Sequence, residues 1–133
     1  LRLGGKSKGQ LNMGNLIPEE LISSIPKLYE TERNLNPICH VKLFTPDSVF
    51  TWFIIEISID GDTCYGYVQG FESELGYFSL QELKSIKGPL GLAVERDISF
   101  KPTALAIIRK SKWIISILKM KQKKTLTLGQ NKG

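Results

Sequence analysis

GFESELGYFSLQELKSIKGPLGLAVER, residues 70–96, is the stretch whose reading decides the fold. Phe71 closes an alternating apolar run, and Glu72, Ser73, Glu74 and Gly76 read as the exit of a strand into a loop. Ser79 stands three residues before Glu82, the spacing at which a serine hydroxyl accepts from the third helical amide and a glutamate reaches back. A helix therefore starts at Leu80, with Leu83 and Ile86 continuing its apolar stripe and Gln81, Lys84 and Ser85 turned outward. Gly88, Pro89 and Gly91 end it, and an extended pattern resumes over residues 92–100.

Working outward, residues 63–71 alternate, with Cys64, Gly66, Val68 and Gly70 on one face and Tyr65, Tyr67, Gln69 and Phe71 on the other. Asp60, Gly61 and Asp62 form the tight turn that joins this strand to residues 50–59. That second run is almost wholly aromatic and β-branched and belongs at the centre of a sheet. Thr45, Pro46, Asp47 and Ser48 make another turn, preceded by a strand over residues 38–44. Pro18, Glu19 and Glu20 suit a helix start, Leu21, Ile22, Ile25 and Leu28 supply its apolar stripe, and Pro26 interrupts, so one short helix that kinks or restarts before Tyr29 is expected. The expected fold is α+β: an antiparallel sheet of about four strands flanked by two short helices, plus a basic C-terminal extension. The expected organisation is a disordered lead-in over residues 1–13, one domain over residues 14–103, and the extension over residues 104–133. In that extension two β-rich runs flank Arg109 to Lys112, a hairpin pattern, but Leu105, Ile108, Ile115 and Leu118 also share a helical face. Length and lysine content favour the helix, fraying from Lys119.

Charge is distributed unevenly. Residues 14–103 hold all 13 acidic residues against seven basic ones, a net of −6, while the two ends carry 11 basic residues and no acid. An acidic body with basic arms differs from a uniformly basic protein. No apolar run approaches the roughly 18 to 20 residues that span a bilayer, and no signal-peptide core precedes the domain, so a cytoplasmic location is expected. Cys39 and Cys64 are too few for a disulfide framework, and unbridged thiols are expected.

Catalytic chemistry is poorly supplied. His40 is the only histidine, and its neighbour Cys39 would point to the opposite face of a strand, so no dyad forms. One histidine and two cysteines fall short of a structural zinc set, and no metal or cofactor is expected. The pairs Glu72 with Glu74, Asp60 with Asp62, and Glu95 with Asp97 have no spacing diagnostic of hydrolysis or cation binding and read as solvated charges. The glycines at 88 and 91 lack the Lys-Ser or Lys-Thr that would complete a phosphate loop, and no G-x-S-x-G nucleophile motif occurs. The protein is expected not to be an enzyme.

Four blocks carry a family resemblance: NLIPEEL at 15–21, VKLFTPDSVFTW at 41–52, GYVQGFESELGYFSLQEL at 66–83 and GPLGLAVERD at 88–97. Together they resemble the bacterial family catalogued as domain of unknown function 2958, over about residues 15–102. The resemblance implies the biology of plasmids, conjugative elements and phages, and it implies no established active site. It also implies a family region ending soon after Pro102, with the basic tail as an addition.

The leading functional expectation is a non-enzymatic interaction module of a mobile element. Its candidate surface is acidic and aromatic, made by Glu72, Glu74, Tyr77, Phe78 and Trp52, and its partner is a protein of the host or the element. The alternative is nucleic-acid binding through the basic arms, with Arg109, Lys110, Lys112, Lys121, Lys123 and Lys124 as phosphate contacts. An enzyme using carboxylates and a membrane-surface helix over residues 104–124 are lesser readings.

Overall fold

The structure is a computed structural model that describes residues 15–132; the lead-in, and the side chains of Lys112 and residues 124–132, lie outside the described residues. Its elements are α1 (Glu19–Ile22), β1 (Ile38–Cys39), β2 (Val41–Phe44), β3 (Thr51–Ile57), β4 (Thr63–Gln69), β5 (Ser73–Ser79), α2 (Leu80–Ser85), β6 (Glu95–Arg96), β7 (Thr103–Ala104) and α3 (Leu105–Lys132). The α+β class holds. One antiparallel sheet has the order β5-β4-β3-β2-β6, and β1 and β7 form a separate two-stranded ribbon, so the strands exceed the expected four.

β3 is the centre of the sheet, as its apolar run requires. Its alternation separates two cores. Trp52, Ile54 and Ile57 join Val41, Leu43, Cys64, Leu80 and Leu83 on one face, and Phe53 and Ile55 join Cys39, Tyr67, Leu105 and Ile108 on the other. The two cysteines therefore lie on opposite sides of the sheet, and both are free. Burial pushes each thiol up to about 12, with a small opposing effect of Arg109 at Cys39 and a reinforcing one of Asp62 at Cys64. Because the thiolate is the nucleophile, iodoacetamide at about pH 8 should leave both unlabelled in the native protein and label both in denaturant. Intact-mass spectrometry reads this directly, and native labelling of either would show that its core opens.

Five expectations need correction. The first helix is a single turn, Glu19–Ile22, and it does not resume after Pro26. Residues 73–79 are a strand, not a loop: β5 pairs with β4 from Gln69↔Ser73 to Thr63↔Ser79. As an edge strand it is only half covered and lacks the apolar alternation that marks a buried strand. The strand over residues 38–44 divides at His40, with β1 turning away to pair with β7. Burial pushes the His40 imidazole below its usual value. Residues 92–100 contribute only the two-residue β6. The tail is one helix that continues through Lys132 instead of fraying at Lys119. Its first turns pack through Leu105 and Ile108, and its start is secured by Asn36, whose side-chain oxygen accepts from Ala106 N at 2.8 Å.

The cap at Ser79 is as expected: its hydroxyl accepts from Glu82 N at 3.3 Å. A partner distant in sequence strengthens it, since Asp62 accepts from the Ser79 hydroxyl at 2.8 Å and from Gln81 N at 2.9 Å.

Candidate functional site

Strict alternation from Trp52 and Ile54 would carry Glu56 into the first core. A β-bulge prevents this. The β3–β4 register runs Ile54↔Gly66 and then Glu56↔Tyr65, so Ile55 is the extra residue and Glu56 swings to the face that holds Tyr65. There it is 3% exposed and still well bonded. Tyr29 N donates to Oε1 at 2.8 Å, Thr31 N donates to Oε2 at 2.8 Å, and the Thr31 hydroxyl donates to the same Oε2. The carboxylate thus sits in a nest of main-chain donors.

The nest is built by residues 26–34. Ile57 N donates to Pro26 O at 2.9 Å, which anchors this segment on the end of β3, and Lys27 N and Glu30 close a local turn around Tyr29. Tyr29 has a φ of +73°, the left-handed region that a bulky residue adopts only when its surroundings hold it there. Glu56 supplies that hold.

Above the carboxylate lies a cavity of about 500 Å3 lined by Tyr29, Glu32, Asn34, Glu56, Tyr65, Tyr77 and Arg109. Tyr65 and Tyr77 are register partners whose ring centroids lie 5.0 Å apart. The Tyr77 phenol is pushed above its ordinary value, first by desolvation and then by Tyr29, Glu56 and Tyr65. The Arg109 guanidinium lies 5.1 Å from the centre of the Tyr67 ring, a cation–π contact at the cavity wall.

The five residues of the expected interaction surface do not form one patch. Trp52 is in the first core, 6% exposed and stacked with Phe50. Phe78 packs against that same core from β5. Tyr77, 56% exposed, points to the opposite face and into the cavity, while Glu72 and Glu74 are exposed at the β4–β5 turn and along the edge. Of the basic set, Arg109 lines the cavity, and Lys110, Lys121 and Lys123 are exposed along α3. Lys112 and Lys124 have side chains outside the described residues.

Sequence reasoning passed over Tyr29, Thr31 and Glu56. One signal was available: Glu56 is the only charge between Phe50 and Ile59. Of the six carboxylates read as solvated, Asp60, Asp62 and Asp97 are tie points, while Glu72, Glu74 and Glu95 are exposed. Asp47 accepts from Leu90 N at 2.7 Å and Leu92 N at 3.4 Å, so the glycine loop at 88–91 cradles an anion, but one supplied by the chain itself. Asp60 is held below the usual carboxylate range, chiefly by the Ser58 hydroxyl. Asp97 is lowered chiefly by Ser99, and it also pairs with Lys42 at 3.5 Å. Among the described residues, no group of three or more His, Cys, Asp or Glu side chains is placed to hold a metal ion, and no helix is long and apolar enough to cross a membrane.

Fold and cavity together define a small α+β sheet domain with a pocket of mixed lining, three tyrosines and two carboxylates among apolar side chains, beside a sheet edge. The chain belongs to the family described as protein of unknown function (DUF2958), which matches residues 16–117. The match extends past Pro102 into α3, further than the four sequence blocks implied. No curated protein and no solved structure matches the chain.

Proposed function

We propose that this protein is a non-enzymatic interaction module whose β5 edge takes up an extended, basic segment of a protein partner as a further strand. The observation that carries this is the position of β5, a seven-residue strand at the end of the sheet order with no described segment along its outer side. Gly70 N donates to Glu72 O and Leu80 N donates to Asp62 O, so the even-numbered residues of β5 face β4. Leu75 and Tyr77 then present their main-chain groups outward, the arrangement used in strand addition. Glu72 and Glu74 make this edge acidic, which favours a basic partner segment. The engagement of Glu56, Asp47 and Asp62 as acceptors for main-chain donors supports a non-enzymatic role. The family resemblance supports a setting in a plasmid, conjugative element or phage.

The test uses the full chain and a set of lysine- and arginine-containing heptapeptides. Binding should protect the Leu75 and Tyr77 amides from hydrogen exchange, and Glu72→Lys with Glu74→Lys should weaken it at least about ten-fold. Absence of binding, or binding indifferent to charge reversal, would rule the edge out. Individual alanine changes at Glu72, Glu74, Glu95 and Asp97 address the enzymatic alternative once a turnover assay exists.

A second reading, nucleic-acid binding along α3, is favoured by one feature: this 28-residue helix carries no acidic residue and exposes Trp113 among its lysines. Truncation at Thr103 would strip Leu105 and Ile108 from the second core, so the test is substitution. Glutamine at Lys110, Lys121 and Lys123 should lower both affinity for single-stranded and duplex nucleic acid and its salt dependence. Equal binding by the substituted chain would exclude the helix as the contact.

A further inference from the structure

Glu56 is a buried carboxylate with no cationic partner among the described residues. Its three contacts are the two amides and the hydroxyl of the 29–31 turn. Arg109 reaches the same cavity, but its guanidinium lies over Tyr67, and no ion pair joins it to Glu56. Buried charges are ordinarily paired, because hydrogen bonds alone leave the net charge uncompensated in a low-dielectric setting. Here that charge lines an open cavity together with Tyr29, Tyr65, Tyr77 and Glu32, among apolar side chains that include Leu35 and Leu75. Aromatic rings beside carboxylates are surroundings that stabilise an organic cation, and Arg109 on Tyr67 shows the same preference from within the chain.

The cavity adjoins the sheet edge. Tyr77 contributes its ring to the cavity and its main chain to the outer side of β5, and Tyr29 lines the cavity with it. Residues directly opposite each other in a sheet place their side chains on the same face. A strand added to β5 would therefore set the side chain opposite Tyr77 over the tyrosine-lined opening.

We infer that the cavity is a receptor for a guanidinium or ammonium group, delivered as the arginine or lysine side chain opposite Tyr77 in the added strand; this rests on the edge reading above. The residues divide the work. Tyr29 and Tyr77, 61% and 56% exposed, form the mouth and contact the cation first. Tyr65 backs Tyr77 at 5.0 Å and fixes its ring. Glu56 and Glu32 supply the negative potential, and Glu56 also locks the left-handed turn that brings Tyr29 over the opening. The site selects by charge and shape, and it accepts either basic side chain.

The test is a titration of the full chain, carrying labelled tyrosine rings, with N-acetyl-arginine amide, its neutral isostere N-acetyl-citrulline amide, and adenosine monophosphate. The arginine probe should give saturable shifts at Tyr29 and Tyr77, with binding at least about ten-fold tighter than that of the citrulline probe. Tyr77→Ala and Glu32→Gln, both at positions open to solvent, should each weaken it several-fold while core methyl signals stay in place. Equal binding of the citrulline probe, undiminished shifts in Tyr77→Ala, or saturation by the nucleotide in place of the arginine probe would overturn the assignment. If the arginine probe binds and basic heptapeptides give no protection at Leu75 and Tyr77, the receptor stands for a free cation and the edge reading falls. If the peptides bind and the arginine probe gives no shift, the edge stands and the receptor falls.

Discussion

Glu56→Ala should lower the stability of the fold by about 4 kcal/mol, because a hydrogen bond to a charged group is worth about 1.5–3 kcal/mol and three donors converge on this one carboxylate. Part of that sum is offset by removing the desolvation of a charge that is 3% exposed. What remains after truncation is two amides and a hydroxyl with no acceptor, and a tyrosine at a φ of +73° with nothing to hold it there. Glu56→Gln keeps the shape but aims an amide NH2 at a donor, and about 2 kcal/mol is expected. Urea unfolding followed by tryptophan fluorescence measures both, since Trp52 is in the first core. A loss below about 1 kcal/mol for the alanine variant would mean that the 29–31 turn is held by something other than the carboxylate. The same variant should abolish the shift at Tyr29 in the arginine titration.

Gly66→Ala should cost about 3 kcal/mol, whereas Gly76→Ala, at its register partner, should be neutral or raise stability by a few tenths of a kcal/mol. A Cβ at Gly66 would stand 1.9 Å from the Phe53 carbonyl oxygen and 2.9 Å from its carbon. These are main-chain atoms of the central strand beside the bulge and cannot swing aside as a flexible side chain can. β3 and β4 would have to separate where both cores depend on their contact. A Cβ at Gly76 meets nothing within 4 Å, and alanine there reduces the freedom of the unfolded chain. The pair has identical chemistry and adjacent positions, so a difference in urea midpoint isolates the close approach. Equal effects would show that the bulge relaxes to admit a methyl group.

The two variants mark the limits of what was legible in the chain. β3 could be placed at the centre because ten consecutive residues contain one charge and a dense set of aromatic and β-branched side chains, which only a strand covered on both faces accommodates. The 60–62 turn, the Ser79 cap and the helix at Leu80 were legible for a similar reason: each depends on residues within a few positions of one another, whereas the tail carried both a hairpin and a helical pattern and only the structure chose the helix. β5 was not legible, because an edge strand half open to solvent has no need of apolar alternation, and its Glu, Ser and Gly look like a loop. The division of the 38–44 strand was equally hidden, since the pairing of β1 depends on Thr103 and Ala104.

The candidate site was less legible still. Its carboxylate reaches the tyrosines through a single extra residue in β3, a feature visible only against the register of β4. Glu56 and Tyr29 are 27 positions apart, and Asp47 and Leu90 are 43 apart, so no local pattern connects them. The amino-acid sequence by itself determined the class of fold, the central strand, the local caps and turns, and the acidic body with basic ends, because these follow from periodicity, propensity and charge. The tertiary structure alone decided that Glu56 leaves the first core for a tyrosine-lined cavity, that Tyr77 and Phe78 face opposite ways, and that β5 ends the sheet with no described strand beyond it. Those facts depend on how strands pair and on which distant donors find which carboxylate.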